Sequence, residues 1–113
     1  WYGVHNGYEV QIDAAGDEWH STGAIYSMAK VKARNQKPRG EWNTMDIVLD
    51  GQRTTAILNG QVVMEFDGGN DVPPRQRWFE PVRGPRPDKG YIGLQNHDQE
   101  SVVHFREVSV KTN

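Results

Sequence analysis

The sequence predicts an all-β fold, an antiparallel β-sandwich, and three observations carry that prediction. Short runs in which apolar and polar residues alternate recur along the chain, and alternation sends successive side chains to opposite faces of a sheet. Two junctions between such runs are Asp50-Gly51 and Asn59-Gly60, dipeptides that accept the positive φ of a tight hairpin turn. No stretch repeats its apolar residues with the 3.6-residue period of a helix.

The first predicted strand is Gly7–Asp13, with Tyr8, Val10 and Ile12 on one face and Glu9, Gln11 and Asp13 on the other. Gly23–Met28 is the second. Residues 41–68 form the clearest unit, a three-strand meander. In it Met45, Ile47 and Leu49, then Ala56 and Leu58, then Val62, Met64 and Phe66 point to the core. Residues 67–90 hold five of the six prolines, and proline removes ladder donors, so this stretch reads as a long loop. Gly90–Asn96 and Val102–Val110 are the last predicted strands. In the final one Val108 and Val110 rejoin the face of Val103 and Phe105 only if Arg106-Glu107 bulges. Short strands spaced by turn signals favour a sandwich.

At 113 residues the chain suits one domain, and with 35% hydrophobic residues its core is modest and leans on four tryptophans. The net charge of -2, with both signs interspersed, gives no electrostatic footprint for nucleic acid or an anionic membrane. No apolar run approaches the ~20 residues a membrane helix needs. Cysteine is absent, which excludes disulfides and thiolate metal sites. His5, His20, His97 and His104 lack metalloprotease spacing. Asp67, Asn70 and Asp71 in "DGGND" offer oxygen ligands to calcium without the EF-hand spacing, and a loose turn is the simpler reading. There is no nucleophile elbow, phosphate loop or dinucleotide fingerprint, and no cofactor is expected. The chain opens on Trp1-Tyr2 rather than Met, which reads as a processed or excised piece.

Five segments, "GYEVQID", "TGAIY", "GEWNTMDIVLDGQRTTAILNG", "GYIGLQNHD" and "VHFREVSV", together resemble the 3-keto-disaccharide hydrolase domain family. Their order and spacing match across nearly the whole chain. The resemblance implies a concanavalin A-type jelly roll, akin in shape to lectins and glucanases. It also implies a secreted or periplasmic bacterial protein, a carbohydrate partner and cleavage of 3-keto-glycosides. In the family, further strands and an "NSG" segment precede the "GYE" strand. Residues 1–113 are therefore expected to be a single carbohydrate-active sandwich domain forming the C-terminal portion of the family domain. A second copy, or the rest of a larger chain, is then expected to cover the exposed sheet edges.

Candidate site residues fall in three places. Glu9, Gln11 and Asp13 form a polar row that parity alone leaves open between a wet face and a sugar-binding row. The resemblance sets Glu9 and Gln11 on the family's concave face. In "LQNHD", Gln95 and His97 share a face opposite Leu94, with Asp98 at the strand end; His97 beside a carboxylate makes a natural proton-transfer pair. The bland alternative there is a strand-terminal turn capped by Asn96 and Asp98. In the proline-rich loop, Trp78 and Phe79 sit beside Arg77, Arg83 and Arg86, and indoles stack on sugars while guanidinium groups bond hydroxyls or ketones. Tyr26 lines the cleft or packs in its strand. Trp42 and Asn43 read as structural anchors of the meander.

The expected reaction follows from the ketone. A 3-keto group acidifies the neighbouring C2–H, so His97 or Glu9 as base drives β-elimination of the aglycone, with water added afterwards. Gln95 and an arginine are expected to polarise the ketone. The alternatives are a non-catalytic carbohydrate-binding module of a larger secreted protein and a purely structural or adhesive domain. Glu9, Gln11, Gln95 and His97 are expected to share one concave surface.

Overall fold

The computed structural model describes residues 1–68 and 71–112. Among them lie one single-turn helix, α1 (Tyr2–Asn6), and three strands, β1 (Met45–Asp50), β2 (Arg53–Leu58) and β3 (Gln61–Asp67). The strands form an antiparallel sheet in the order β1-β2-β3, the meander expected from alternation. Helix α1 is too short for any period to announce it.

The two turns behave differently. Asn59 and Gly60 both have positive φ, 51° and 82°, between the paired residues Leu58 and Gln61, as a type I′ turn requires. The first turn is centred one residue later than expected, on Gly51 and Gln52 between the pair Asp50↔Arg53. Asn59 also ties the meander to the preceding segment. Its Oδ1 accepts the Thr44 N–H at 2.9 Å, and its Nδ2 donates to the Asn35 carbonyl at 2.6 Å and to Asn43 Oδ1 at 2.9 Å. Asn43 is thus structural, and Trp42 lies half-exposed beneath the Arg106 guanidinium, 4.8 Å from its ring centre.

The core is built from Ala24, Ile25, Met28, Ala29 and Val31 packed against Ala56, Leu58, Val63, Met64 and Phe66. Its register corrects one expectation. The β2–β3 pairing shifts between Ala56 and Ile57, so Ala56 faces Met64 while Ile57 faces Val62. The bulged residue, Val63, is buried and Val62 turns outward. Gly23 explains why Val63 fits. Its φ is +95°, and a Cβ there would stand 2.6 Å from Val63 Cγ2, so both conformation and space demand glycine.

Four further expectations change. The strands expected at 7–13 and 23–28 reduce to a bridge, Val10↔Ile25, flanked by Gln11 N–H to Ala24 O at 2.9 Å and Tyr26 N–H to Glu9 O at 3.0 Å. Pairing stops at Asp13 because its N–H turns to Thr22 Oγ1 at 2.9 Å and its carboxylate accepts the Ala15 N–H at 2.8 Å. Ile12, expected inside, is exposed. On β1, Met45 packs against the core, but Ile47 and Leu49 are exposed because β1 is the sheet edge and no described residue covers its far half. Gly90–Asn96 and Val102–Val110 are not strands: no neighbouring strand among the described residues completes their ladders, and the Arg106-Glu107 bulge does not arise. Among the described residues the regular structure is therefore almost wholly β, in a three-stranded antiparallel sheet. No helix among the described residues is long and apolar enough to cross a membrane.

Candidate functional site

The short Val10↔Ile25 bridge positions the site. It turns Val10 and Ile25 toward the core and leaves Glu9 and Tyr26 as direct cross-strand neighbours on the other face. Burial pushes the half-buried Glu9 carboxyl above its usual value, while the nearby His97 imidazole pulls it back. Tyr26 is half-buried too; desolvation raises its phenol, and the Glu9 and Glu80 carboxylates add to the shift. Glu9, Tyr26 and His97 are therefore within one another's electrostatic reach or linked through Glu9.

His97 approaches from the tail. Its Nδ1 lies 2.8 Å from Asp98 Oδ2, and its side chain is 81% exposed. The Asp98 contact raises the imidazole, with Glu9 contributing. In return His97 and the Ser101 N–H draw Asp98 down to about 2. Asp98 Oδ1 also accepts the N–H groups of Glu100 at 2.9 Å and Ser101 at 2.7 Å, and Asn96 Nδ2 donates to the Asp98 carbonyl at 2.9 Å. Asp98 thus caps a turn and at the same time contacts the His97 imidazole. Gln95 is exposed on the stretch leading to His97.

The arginine loop folds onto the same region but spends its guanidinium groups on the protein. Arg83 donates to the carbonyls of Pro73 (3.0 Å), Pro81 (2.8 Å) and Ser27 (3.0 Å), to Ser27 Oγ (3.2 Å) and to Glu80 Oε2 (3.4 Å). That uses all five of its N–H groups and leaves none for a ketone. Arg86 donates to Gly7 O at 2.8 Å and Val82 O at 2.7 Å and lies 5.1 Å from the Tyr8 ring centre. Both arginines are latches that hold the loop against residues 7–8 and 27–28. Trp78 stays exposed on the loop. Asp13 spends a carboxylate oxygen on its own turn, and the Gln11 backbone completes the bridge.

Sequence reasoning passed over Asp17, His20, Ser27 and Glu80. Asp17 Oδ1 lies 2.7 Å from His20 Nδ1, and the His20 ring meets Tyr26 edge-on at 4.9 Å, so the pair braces Tyr26 from behind. The Asp-x-x-His spacing ahead of "TGAIY" was the available signal. Ser27 adopts φ +58°, a strained value for a residue with a Cβ, and is held by Arg83 and by its N–H to Trp19 O at 3.0 Å. No group of three or more metal-ligating side chains is gathered among the described residues; Asn70 of "DGGND" lies outside them.

Glu9 and Tyr26 thus stand on facing segments of a small β domain, and the exposed His97 imidazole acts on the Glu9 carboxyl through its charge. The chain belongs to the 3-keto-alpha-glucoside-1,2-lyase-like domain family, whose model matches residues 1–111. It is similar to a protein of Parabacteroides distasonis, assigned as a glycosyl hydrolase, whose crystal structure aligns with a TM-score of 0.57 at 29% identity. The alignment covers 71% of this chain and 48% of that one, so the chain spans about half the length of that relative. No curated protein matches the chain significantly.

Proposed function

We propose that this domain cleaves 3-keto-glycosides by elimination followed by hydration, with Glu9 as the base. The observation that carries the reading is Glu9 itself: half-buried, more basic than an ordinary carboxylate, and opposite Tyr26 within reach of His97. A base of raised pKa near a ketone-activated C–H is well matched to proton abstraction. The ionised Glu9 takes the C2 proton, the electron pair forms C1=C2, and the C1–O bond breaks. The departing oxygen takes a proton from the imidazolium of His97. Neutral His97 then takes a proton from water as the hydroxyl adds to C1, and Glu9 returns its proton to C2, which restores both groups. The sum is hydrolysis, and only water is consumed.

His97 suits the acid role because Asp98 stabilises its charged form and occupies Nδ1, leaving Nε2 outward. Gln95 and Tyr26 are the donors available to the ketone oxygen, since Arg83 has none left. In this reading the complete domain is a concanavalin A-type jelly roll in a secreted or periplasmic protein, and the open edge of β1 and the apolar tail are covered by a second copy or by more of a larger chain. The direct test is release of aglycone from a 3-keto-glucoside. Glu9→Gln should lower the rate at least about 100-fold, the usual worth of general-base catalysis, with the circular dichroism spectrum unchanged. Full activity in that variant would sink the assignment. The exposure of His97 favours a second reading, a non-catalytic carbohydrate-binding module, which the same assay separates by showing no turnover at all.

A further inference from the structure

Outside the Glu9–Tyr26–His97 cluster, four aromatic rings from two distant stretches of chain stand in a row. The Trp1 indole stacks on His5 (6.0 Å between ring centres, 19° between planes) and meets Trp78 at 5.3 Å and 45°; Trp78 in turn rests on the Phe79 edge at 5.8 Å and 83°. Trp1 is 68% exposed and Trp78 74%. Two adjacent indoles left open to water forgo much of the burial that usually draws tryptophan inward.

The row is nevertheless held in place. The Val82 N–H donates to His5 Nδ1 at 3.2 Å and joins the loop to α1. The Arg75 guanidinium bonds the Trp78 carbonyl, the Glu80 N–H donates to Arg77 O at 3.1 Å, and the Gln76 N–H donates to Glu80 Oε2 at 2.9 Å. Arg83 of the same loop reaches Ser27, the residue after Tyr26, at 3.0 Å to its carbonyl, so the loop that carries Trp78 is anchored next to Tyr26 in the chain.

We propose that Trp1 and Trp78 form an accessory subsite that stacks a glycosyl unit of the substrate remote from the reacting ring. This rests on the carbohydrate reading above and extends it to residues that take no part in the chemistry. A pyranose has an apolar C–H face and a hydroxyl rim. The exposed indoles of Trp1 and Trp78, tilted by 45° to each other, offer the apolar face of such a ring a surface to stack on. A second copy of the chain is the competing occupant; the open sheet edge that such a copy would extend, with exposed Ile47 and Leu49, belongs to β1 and not to this row, and the test below separates the two.

The test is titration calorimetry of the whole chain with maltotriose, an unoxidised probe whose binding is read without cleavage. The native chain should bind it, and Trp1→Ala and Trp78→Ala should each raise Kd by about fivefold or more, as the loss of one aromatic stack implies. Trp78→Phe should stay within about twofold of native. Circular dichroism checks that each variant is folded. Absence of binding by the native chain, or native affinity in Trp78→Ala, overturns the subsite. So does a change of oligomeric state in Trp78→Ala with maltotriose affinity intact, which makes the row a contact between copies. Because this readout is binding alone, an inactive native chain would refute the cleavage reading and leave the subsite standing.

Discussion

Two regions with the same alternating pattern meet different fates. The β2–β3 hairpin and residues 21–31, packed on each other, supply the buried hydrophobic side chains among the described residues. Residues 91–112 expose Tyr91, Ile92, Leu94, Val102, Val108 and Val110 and form no strand. The difference is one of partners. A hairpin carries its own: Asn59-Gly60 folds β3 back on β2, and every pair of the ladder lies within the single stretch from Arg53 to Asp67. The tail's apolar alternation is a request for a sheet that must come from elsewhere, and until it is answered each extended segment keeps its backbone groups on water.

The sharpest way to break that comparison is to shave both regions equally. Leu58→Ala or Met64→Ala, at fully buried positions, should cost about 2–5 kcal/mol in urea unfolding, from lost transfer energy and an unfilled cavity. Leu94→Ala or Val108→Ala should change stability by about 0.5 kcal/mol or less. If the tail substitutions cost as much as the core ones, the tail is already partnered. Light scattering at micromolar concentration reads the same point, because a partner drawn from a second copy makes the tail effect concentration-dependent.

A second substitution tests what holds the loop to the core region. The Arg83 and Glu80 side chains are only 19% and 8% exposed, and Arg83 bridges three carbonyls and the strained Ser27. Arg83→Met leaves Glu80 without its cation and those carbonyls without their donor. The expected loss is about 3 kcal/mol, in the range for breaking a buried pair from one side. A loss below about 0.5 kcal/mol in thermal unfolding, the size of an ordinary surface substitution, would show that the loop is held by its prolines instead.

How much of this was legible in the sequence follows the same division. The meander could be read because turn dipeptides and alternation are local signals. Even there, the shift that buries Val63 in place of Val62 escaped, since it answers to Gly23, forty residues earlier. Glu9 and Tyr26 stand side by side as two polar positions of facing segments, which parity anticipates. The arginines are a different matter: composition shows that a guanidinium is present, but only the fold shows that Arg83's five donors are taken. Asp17 and His20 were passed over because a histidine three residues after an aspartate is usually an ordinary turn, and its closeness to Tyr26 needs the Trp19–Ser27 contact to bring it there.

The smallest expected effect lies at Glu9 and at His97, whose charges act on each other. Glu9 is raised from 4.5, so its contribution to stability is complete below that value and fades as pH rises through the raised one. His97 is raised from 6.5, so what its imidazolium contributes is present below 6.5 and lost as pH rises through its higher value. Asp98, lowered to about 2, works in the opposite sense: its contribution holds above 3.8 and goes as pH falls toward 2. These groups are exposed or half-exposed and screened by salt, so global stability should move little across the neutral range. Activity should move more. Cleavage should rise as Glu9 ionises, somewhat above pH 4.5, and fall as His97 gives up its proton, somewhat above pH 6.5. Asp98→Asn removes the principal cause of the His97 shift, so the imidazole titration followed by NMR should drop toward 6.5 and the alkaline limb of the rate profile should drop with it. If the NMR titration moves and the alkaline limb stays, His97 is not the acid, and Tyr26, the other proton donor facing Glu9, takes its place.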